Sequence, residues 1–369
     1  MKTEQKKQLK EAAYKIADTI IETRTPTIAP YWSYDGALAL LGMGALYDEC
    51  GDKKYFDYIK TYAESMIDKD GNVPLYRMKE YNVDYVNPGN LCFWLYDRTK
   101  DDRYLKVIKM LKAQLDFQPR TASGIFFHKL VYPNQVWLDG LYMAQPFRAQ
   151  YSSKFSDGND FADIIDQIVK SEKALYDPRT GLYAHACDES KQIFWADKIT
   201  GRSLNIWGRA CGWLGMAIVD ILDFIPDDYP GCEKLIAILN KYFTNVLKYQ
   251  DESGVWYQVL DSRHYKNYKE ATCTCMFAYA LHKGIKNGYL VSKDYDKALE
   301  KALSGIMNEF IQERDGKMFL TSCCEVAGMA GYGENRPDHD GSLEYYFSEP
   351  IVCNDFKGVG PLLKMAVAL

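Results

Sequence analysis

The stretch QVWLDGLYMAQPF, residues 135–147, sets one carboxylate, Asp139, among Trp137, Leu138, Leu141, Tyr142 and Met143. The surrounding apolar positions read as a buried helix. A buried acid costs on the order of a few kcal/mol unless it is paired, hydrogen-bonded or protonated, and an acid held in that condition suits proton-transfer chemistry. A second acid, Asp84 in NVDYVNPGN, stands just ahead of another helical segment. Its plain reading is a helix N-cap. For Asp139 capping is the poorer reading, because it would leave QVW outside the helix and Trp137 stranded. The expectation is that both acids sit at helix entrances on one rim and act as a carboxylate pair.

A third constellation is SLNIWGRACGWLGMAIVDI, from Ser203. Trp207 and Trp213 offer flat faces, and Arg209 between them offers a fork for a carboxylate, a combination that suits an anionic sugar. An arginine flanked by so many apolar residues needs an anion. Of the five histidines, His128 closes GIFFH and His185 closes GLYAH. Their matching places after a glycine favour ligand contact over a purely structural role, whereas His282 reads as helix surface.

Other chemistries have little to stand on. There is no H-E-x-x-H pattern, and the CTC and CC pairs at Cys273, Cys275, Cys323 and Cys324 lack zinc spacing. The expectation is no metal and no cofactor. RPDHDG, residues 336–341, reads as a lid loop. Neither a G-x-S-x-G elbow nor a phosphate-binding glycine loop occurs. The net charge of -5 lacks the basic excess that nucleic acid or an anionic membrane demands. No run of 18 apolar residues is present, so the chain reads as cytoplasmic, with its ten cysteines as reduced and mostly buried thiols. The 29 Tyr, 16 Phe and 7 Trp divide between helix interfaces and a sugar-stacking cleft.

The elements that must position these residues follow from period. Helical spacing marks twelve segments: 4–23, 34–50, 53–67, 85–98, 101–116, 135–151, 158–175, 204–224, 231–249, 269–286, 293–313 and 357–369. LYDECGDKKYFDYIK, from Leu46, echoes LYDRTKDDRYLKVIK, from Leu95, so a helix pair is the repeating unit. A second echo is a polar turn with Gly71, Gly124, Gly181, Gly254 or Gly316 followed by a short strand-like piece. Six pairs can stack as a solenoid or close as a ring. The apolar last segment, GVGPLLKMAVAL, wants partners on several sides and favours a ring of inner and outer helices, with the loops gathered at one mouth.

Together, QVWLDGLYMAQPF, GLYAHACDES followed by FWAD, IWGRACGW, ESGVWYQVLD and the tail SLEYYFSEPIVCNDFKGVGPLL resemble glycoside hydrolase family 105, the unsaturated rhamnogalacturonyl hydrolases. The likeness runs from about Trp32 to the C-terminus. Family 88, the unsaturated glucuronyl hydrolases, shares the architecture. The resemblance implies one (α/α)6 barrel over residues 1–369, with six inner and six outer helices and short strand pieces in the mouth loops. It further implies removal of the 4,5-unsaturated uronic acid from the non-reducing end of lyase-generated pectin oligosaccharides, by hydration of the C4=C5 vinyl ether. Asp139 maps onto the family's general acid/base and Asp84 onto a second carboxylate. Apolar surroundings and a neighbouring charge would hold Asp139 protonated against the helix N-terminus.

His128, His185, Trp207, Arg209, Trp213 and Tyr34 fall on substrate-binding positions of the family. The implied partner is a small unsaturated oligosaccharide, with the protein a monomer or homodimer. Cys211 departs from the family's pattern and bears on the shape of the nearby subsite, and loop 328–341 is individual to this chain and suited to setting leaving-group preference. Alternatives are action on unsaturated glucuronyl disaccharides of the glycosaminoglycan type, or a uronate-binding barrel without catalysis. Two acids beside a bound anion argue against the latter.

Overall fold

A computed structural model describes residues 3–26, 32–332, 334 and 336–369. Its helices are α1 (Thr3–Thr23), α2 (Tyr34–Cys50), α3 (Lys53–Met66), α4 (Gly89–Thr99), α5 (Asp102–Asp116), α6 (Leu138–Phe155), α7 (Phe161–Leu175), α8 (Gly208–Ile221), α9 (Cys232–Val246), α10 (Ala271–Lys286), α11 (Lys293–Gly305), α12 (Leu343–Ser348) and α13 (Phe356–Ala368). Setting aside the short α12, the twelve long helices form a double ring, the (α/α)6 barrel. α2, α4, α6, α8, α10 and α13 pack side by side in that order, and α13 returns against α2 to close the inner ring.

Burial pattern separates the two rings. Every residue of α8 is buried, as is nearly all of α10, because an inner helix meets neighbours on all sides. Outer helices are amphipathic. In α5 the buried positions include Tyr104, Val107, Ile108, Leu111 and Leu115, one face at helical spacing. The ring closes tightly through two glycines. A Cβ on Gly360 would lie 2.5 Å from the carbonyl oxygen of Leu38, and one on Gly42 would lie 2.9 Å from that of Gly360. An open solenoid has no such seam.

The helix-pair echo has a local cause. At each junction the chain leaves one helix through a left-handed residue, Gly51 (φ 69°) or Lys100 (φ 56°). It enters the next under an aspartate cap, with Asp52 Oδ1 accepting from Lys54 N (3.1 Å) and Asp101 Oδ1 from Arg103 N (2.9 Å). The second echo also has one: Gly71, Gly124, Gly181, Gly254 and Gly316 all adopt positive φ, between 73° and 92°, in loops that lead from an outer helix into the mouth. There β2 (Tyr176–Asp177) pairs with β3 (Leu182–Tyr183), and β5 (Ile311–Arg314) with β6 (Lys317–Leu320). No such hairpin follows Gly71, Gly124 or Gly254; after the last two, Phe126 and Tyr257 form only isolated bridges.

Several helix boundaries differ from expectation, two of them at the site. Residues 135–137 are not helical. Gln135–Trp137 form β1, which pairs antiparallel with β4 (Ala186–Asp188), and α6 begins at Leu138 with Trp137 as its N-cap residue in extended conformation. Trp137 is therefore outside the helix yet not stranded, since the strand pairing buries it. The helix expected from residue 85 starts at Gly89, after a 3-10 turn at Val83–Tyr85, and the segment expected to reach 313 leaves α11 through a π turn at Ile306–Phe310. β7 (Cys323–Cys324) and β8 (Ile351–Val352) complete the small ladders. All ten cysteines are free and eight are buried. Among the described residues no helix is long and apolar enough to cross a membrane.

Candidate active site

A cavity of about 120 Å³ opens at the N-terminal ends of the inner helices, with Tyr34, Asp84, His128, Lys129, Trp137 and Asp139 along its inner wall. Residues 326–329 and the side chains of Tyr132, Arg336 and His339 complete the rim. Asp139 is the second residue of α6 and only 8% exposed. The β1–β4 ladder puts His185 beside it: Trp137 pairs with Ala186, and Leu138 N donates to His185 O at 3.2 Å. His185 Nε2 lies 3.4 Å from Asp139 Oδ2, and neither atom has a hydrogen-bond partner. The other ring nitrogen, Nδ1, meets the Tyr346 hydroxyl at 2.9 Å.

Asp84 belongs to the 3-10 turn, whose first N–H groups are held from outside. Asn82 Oδ1 accepts from Asp84 N (3.0 Å), and Val83 N donates to His128 O (3.1 Å). The second bond draws the His128 loop onto the turn. Asp84 Oδ1 then sits 3.3 Å from His128 Nε2 and Oδ2 sits 2.9 Å from Lys129 Nζ. Burial alone would raise the Asp84 carboxyl, but Lys129 and His128 outweigh it and hold the group well below the usual carboxylate range. Lys129 is correspondingly pushed up by Asp84 despite its own burial. Asp84 is thus not the N-cap of α4, and its charge is neutralised locally.

The glycine of the WLDG motif has a spatial role. A Cβ on Gly140 would stand 3.0 Å from His128 Nδ1, so the bare backbone lets the imidazole lie against the first turn of α6. His128, Tyr132 and Trp137 hold nearly parallel rings, with Trp137 to His128 4.7 Å and Trp137 to Tyr132 4.9 Å between centroids. Tyr34 meets Trp213 edge-on at 6.0 Å. Burial, then the charges of Asp35, Asp84 and Asp139, push its phenol well up and keep it a neutral hydroxyl.

The structure divides the expected residues into two layers. Tyr34, Asp84, His128 and Asp139 line the cavity, while His185, Trp207, Arg209 and Trp213 stand behind it, each at most 1% exposed. Trp207 lies against His185, with centroids 4.6 Å apart. The anion that Arg209 requires comes from the protein: Glu270 Oε1 is 3.8 Å away, and the guanidinium donates to the carbonyls of Cys324 and Glu325. Glu270 also accepts from Cys273 N and Cys324 N, tying α10 to the loop before α12. Cys211 does not shape a subsite. It is fully buried, with its thiol on Tyr183 O at 3.4 Å.

Sequence reasoning passed over Lys129, although it follows His128 directly in a mouth loop, and Glu270, whose role depends on contacts far apart in the chain. The 336–341 loop does reach the site, through Arg336 and His339. Among the described residues no group of three or more His, Cys, Asp or Glu is placed to hold a metal ion.

A ring of paired helices with two acids and flanking imidazoles at its mouth fits a helical-barrel glycoside hydrolase. The sequence profile described as Glycosyl Hydrolase Family 88 matches residues 9–369. A solved structure of a family 105 glycoside hydrolase from C. acetobutylicum ATCC 824 is 41% identical, with a TM-score of 0.91 over 96% of this chain and 98% of that one. The chain therefore belongs to glycosyl hydrolase family 88 and, within that relationship, to family 105. The unsaturated rhamnogalacturonyl hydrolase YesR of Bacillus subtilis (strain 168) is 28% identical over 318 residues, covering 85% of each chain. The unsaturated glucuronyl hydrolase of Bacillus sp. GL1, at 13% identity and a TM-score of 0.73 over 98% of this chain and 96% of that one, shares the fold.

Proposed function

We propose that this hydrolase removes a 4,5-unsaturated uronic acid from the non-reducing end of lyase-generated rhamnogalacturonan oligosaccharides, with Asp139 as the acid and base. The observation that carries this reading is the Asp139 carboxyl, which lines the cavity with only the His185 ring against its Oδ2, while the other acid of the cavity is already clamped by Lys129. Protonated Asp139 gives its proton to C4 of the vinyl ether, and positive charge develops at C5 and the ring oxygen. Water adds at C5 and returns a proton to Asp139. The C5 hemiketal opens to a ketone, the C1 hemiacetal left behind collapses to an aldehyde, and the shortened sugar departs with its oxygen.

Asp84 is the fixed negative charge in this scheme, kept ionised by Lys129 and His128 so that it does not compete for the proton. His185, oriented by Tyr346, positions the Asp139 carboxyl. Trp207, Arg209 and Trp213 support the wall from behind, and Tyr34 and His128 face the sugar. The rhamnogalacturonan assignment leans on the likeness to YesR.

The test is a panel of lyase-generated unsaturated disaccharides followed at the ultraviolet absorbance of the conjugated double bond. Loss of absorbance with galacturonyl–rhamnose substrates is the expected result. Loss only with glycosaminoglycan disaccharides would move the substrate to the glucuronyl class, and recovery of every sugar unchanged would leave a binding protein.

A further inference from the structure

The loop ahead of α12 brings Arg336 to the rim of the cavity, where it is exposed to solvent. Its guanidinium donates to His339 Nε2, a neutral acceptor. That imidazole is buried, and burial together with the Arg336 charge lowers its pKa below the ordinary value. Its Nδ1 meets the Tyr345 hydroxyl at 3.1 Å, and the same hydroxyl oxygen accepts from Gly328 N at 2.8 Å. The arginine is thus anchored to the rim through a chain of neutral groups.

The acids of the same loop are engaged elsewhere. Glu334 accepts from Tyr132 Oη (3.2 Å) and Gly331 N (2.9 Å), Asp340 accepts from Ser342 N (2.8 Å), and exposed Asp338 faces His339 Nε2 at 3.7 Å. Among the described residues Arg336 forms no ion pair. The other two cations of this region are matched, Lys129 by Asp84 and Arg209 by Glu270. A guanidinium without a direct ion pair therefore stands at the mouth, with exposed Asp338 sharing its His339 contact. Arg336 lines the same cavity as Asp139 but is solvent-exposed, whereas Asp139 is 8% exposed in the first turn of α6, so a sugar whose unsaturated ring lies against Asp139 would bring its leaving portion to the Arg336 side.

We propose that Arg336 binds an anionic substituent, carboxylate or sulfate, on the leaving portion of the oligosaccharide, so that the enzyme prefers substrates charged beyond the unsaturated uronate. This rests on the hydrolase reading above. A planar fork matches either oxyanion with two parallel hydrogen bonds, and closing the cavity over substrate removes part of the water that screens an exposed pair.

The experiment compares three unsaturated substrates: one with a neutral leaving sugar, one with a sulfate ester on that sugar, and a longer one with a carboxylate on the leaving portion. The kcat/KM of each charged substrate is divided by that of the neutral one, for wild type, Arg336→Lys and Arg336→Gln. At least one ratio is expected to exceed one by about tenfold or more in wild type, to fall partway in Arg336→Lys and to collapse toward one in Arg336→Gln. The substrate whose ratio collapses identifies the anion. Equal ratios in wild type and Arg336→Gln overturn the proposal while turnover of the neutral substrate leaves the hydrolase reading intact. If no substrate loses its chromophore, that reading fails, and calorimetric binding of the same three compounds to wild type and Arg336→Gln decides the role of Arg336 by the same ratios.

Discussion

Lys129 Nζ lies 2.9 Å from Asp84 Oδ2, and this pair, together with His128, holds Asp84 ionised against its own burial. Because Asp84 is held ionised below its ordinary carboxylate value, the folded state gains from the pair above the unfolded pKa of 3.8 and loses that gain as pH falls through the folded value. In Lys129→Met only His128 is left to offset the burial of Asp84, so its folded pKa rises and the carboxylate becomes a cost at pH values where wild type is unaffected. Thermal midpoints measured from about pH 3 to pH 7 are expected to diverge, with the variant losing stability as pH rises through its own raised Asp84 pKa. Parallel curves would mean that Lys129 does not control the acid.

Asp139→Asn removes the proton that the reaction needs while keeping the shape of the side chain. The expected loss is at least ~10²-fold in kcat, the low end of what a positioned acid contributes. The thermal midpoint should stay close to wild type, because Oδ2 has no hydrogen-bond partner to lose. Near-normal turnover would sink the acid/base assignment.

Tyr346 stands behind the site, touching His185 and, at 3.8 Å, the sulfur of Met329. Its fully buried hydroxyl meets His185 Nδ1 at 2.9 Å, and its removal in Tyr346→Phe leaves that nitrogen unpartnered. A kcat lowered by about tenfold with a shifted pH profile and little change in KM is expected, in line with a lost buried hydrogen bond of about 1–3 kcal/mol. A change in KM alone would instead place His185 in ground-state binding.

Gly254 tests the fold away from the chemistry. Its φ of 92° is unfavourable for any other residue, and an added Cβ would fall 2.1 Å from the carbonyl oxygen of Lys301. Gly254→Ala is expected to cost roughly 3 kcal/mol or more in chemical denaturation. A loss below about 1 kcal/mol would mean that the turn and α11 can separate cheaply.

The features legible in the sequence were those written in local spacing. Helical period marks an outer helix such as α5 because its inward face recurs along a short stretch of chain, and the aspartate caps at Asp52 and Asp101 follow a left-handed exit that the echo from Leu46 to Leu95 repeats. Asp139 stood out because an acid in an apolar run is costly wherever the run ends up. The wrong start of α6 has an equally local reason: QVW carries apolar residues that suit a helix or a strand, and only its partner, Ala186–Asp188, some fifty residues on, decides for the strand.

What tertiary structure alone decided is which charges meet. Arg209 announced its need for an anion from its apolar surroundings, but the choice between a substrate carboxylate and Glu270 depends on α8 and α10 lying side by side. Lys129 beside Asp84 is likewise a pairing made by loops converging on the mouth. Composition and period fix the cost of burying a charge, whereas the sign of its surroundings is a property of distance, and a closed ring brings together residues that the chain keeps far apart.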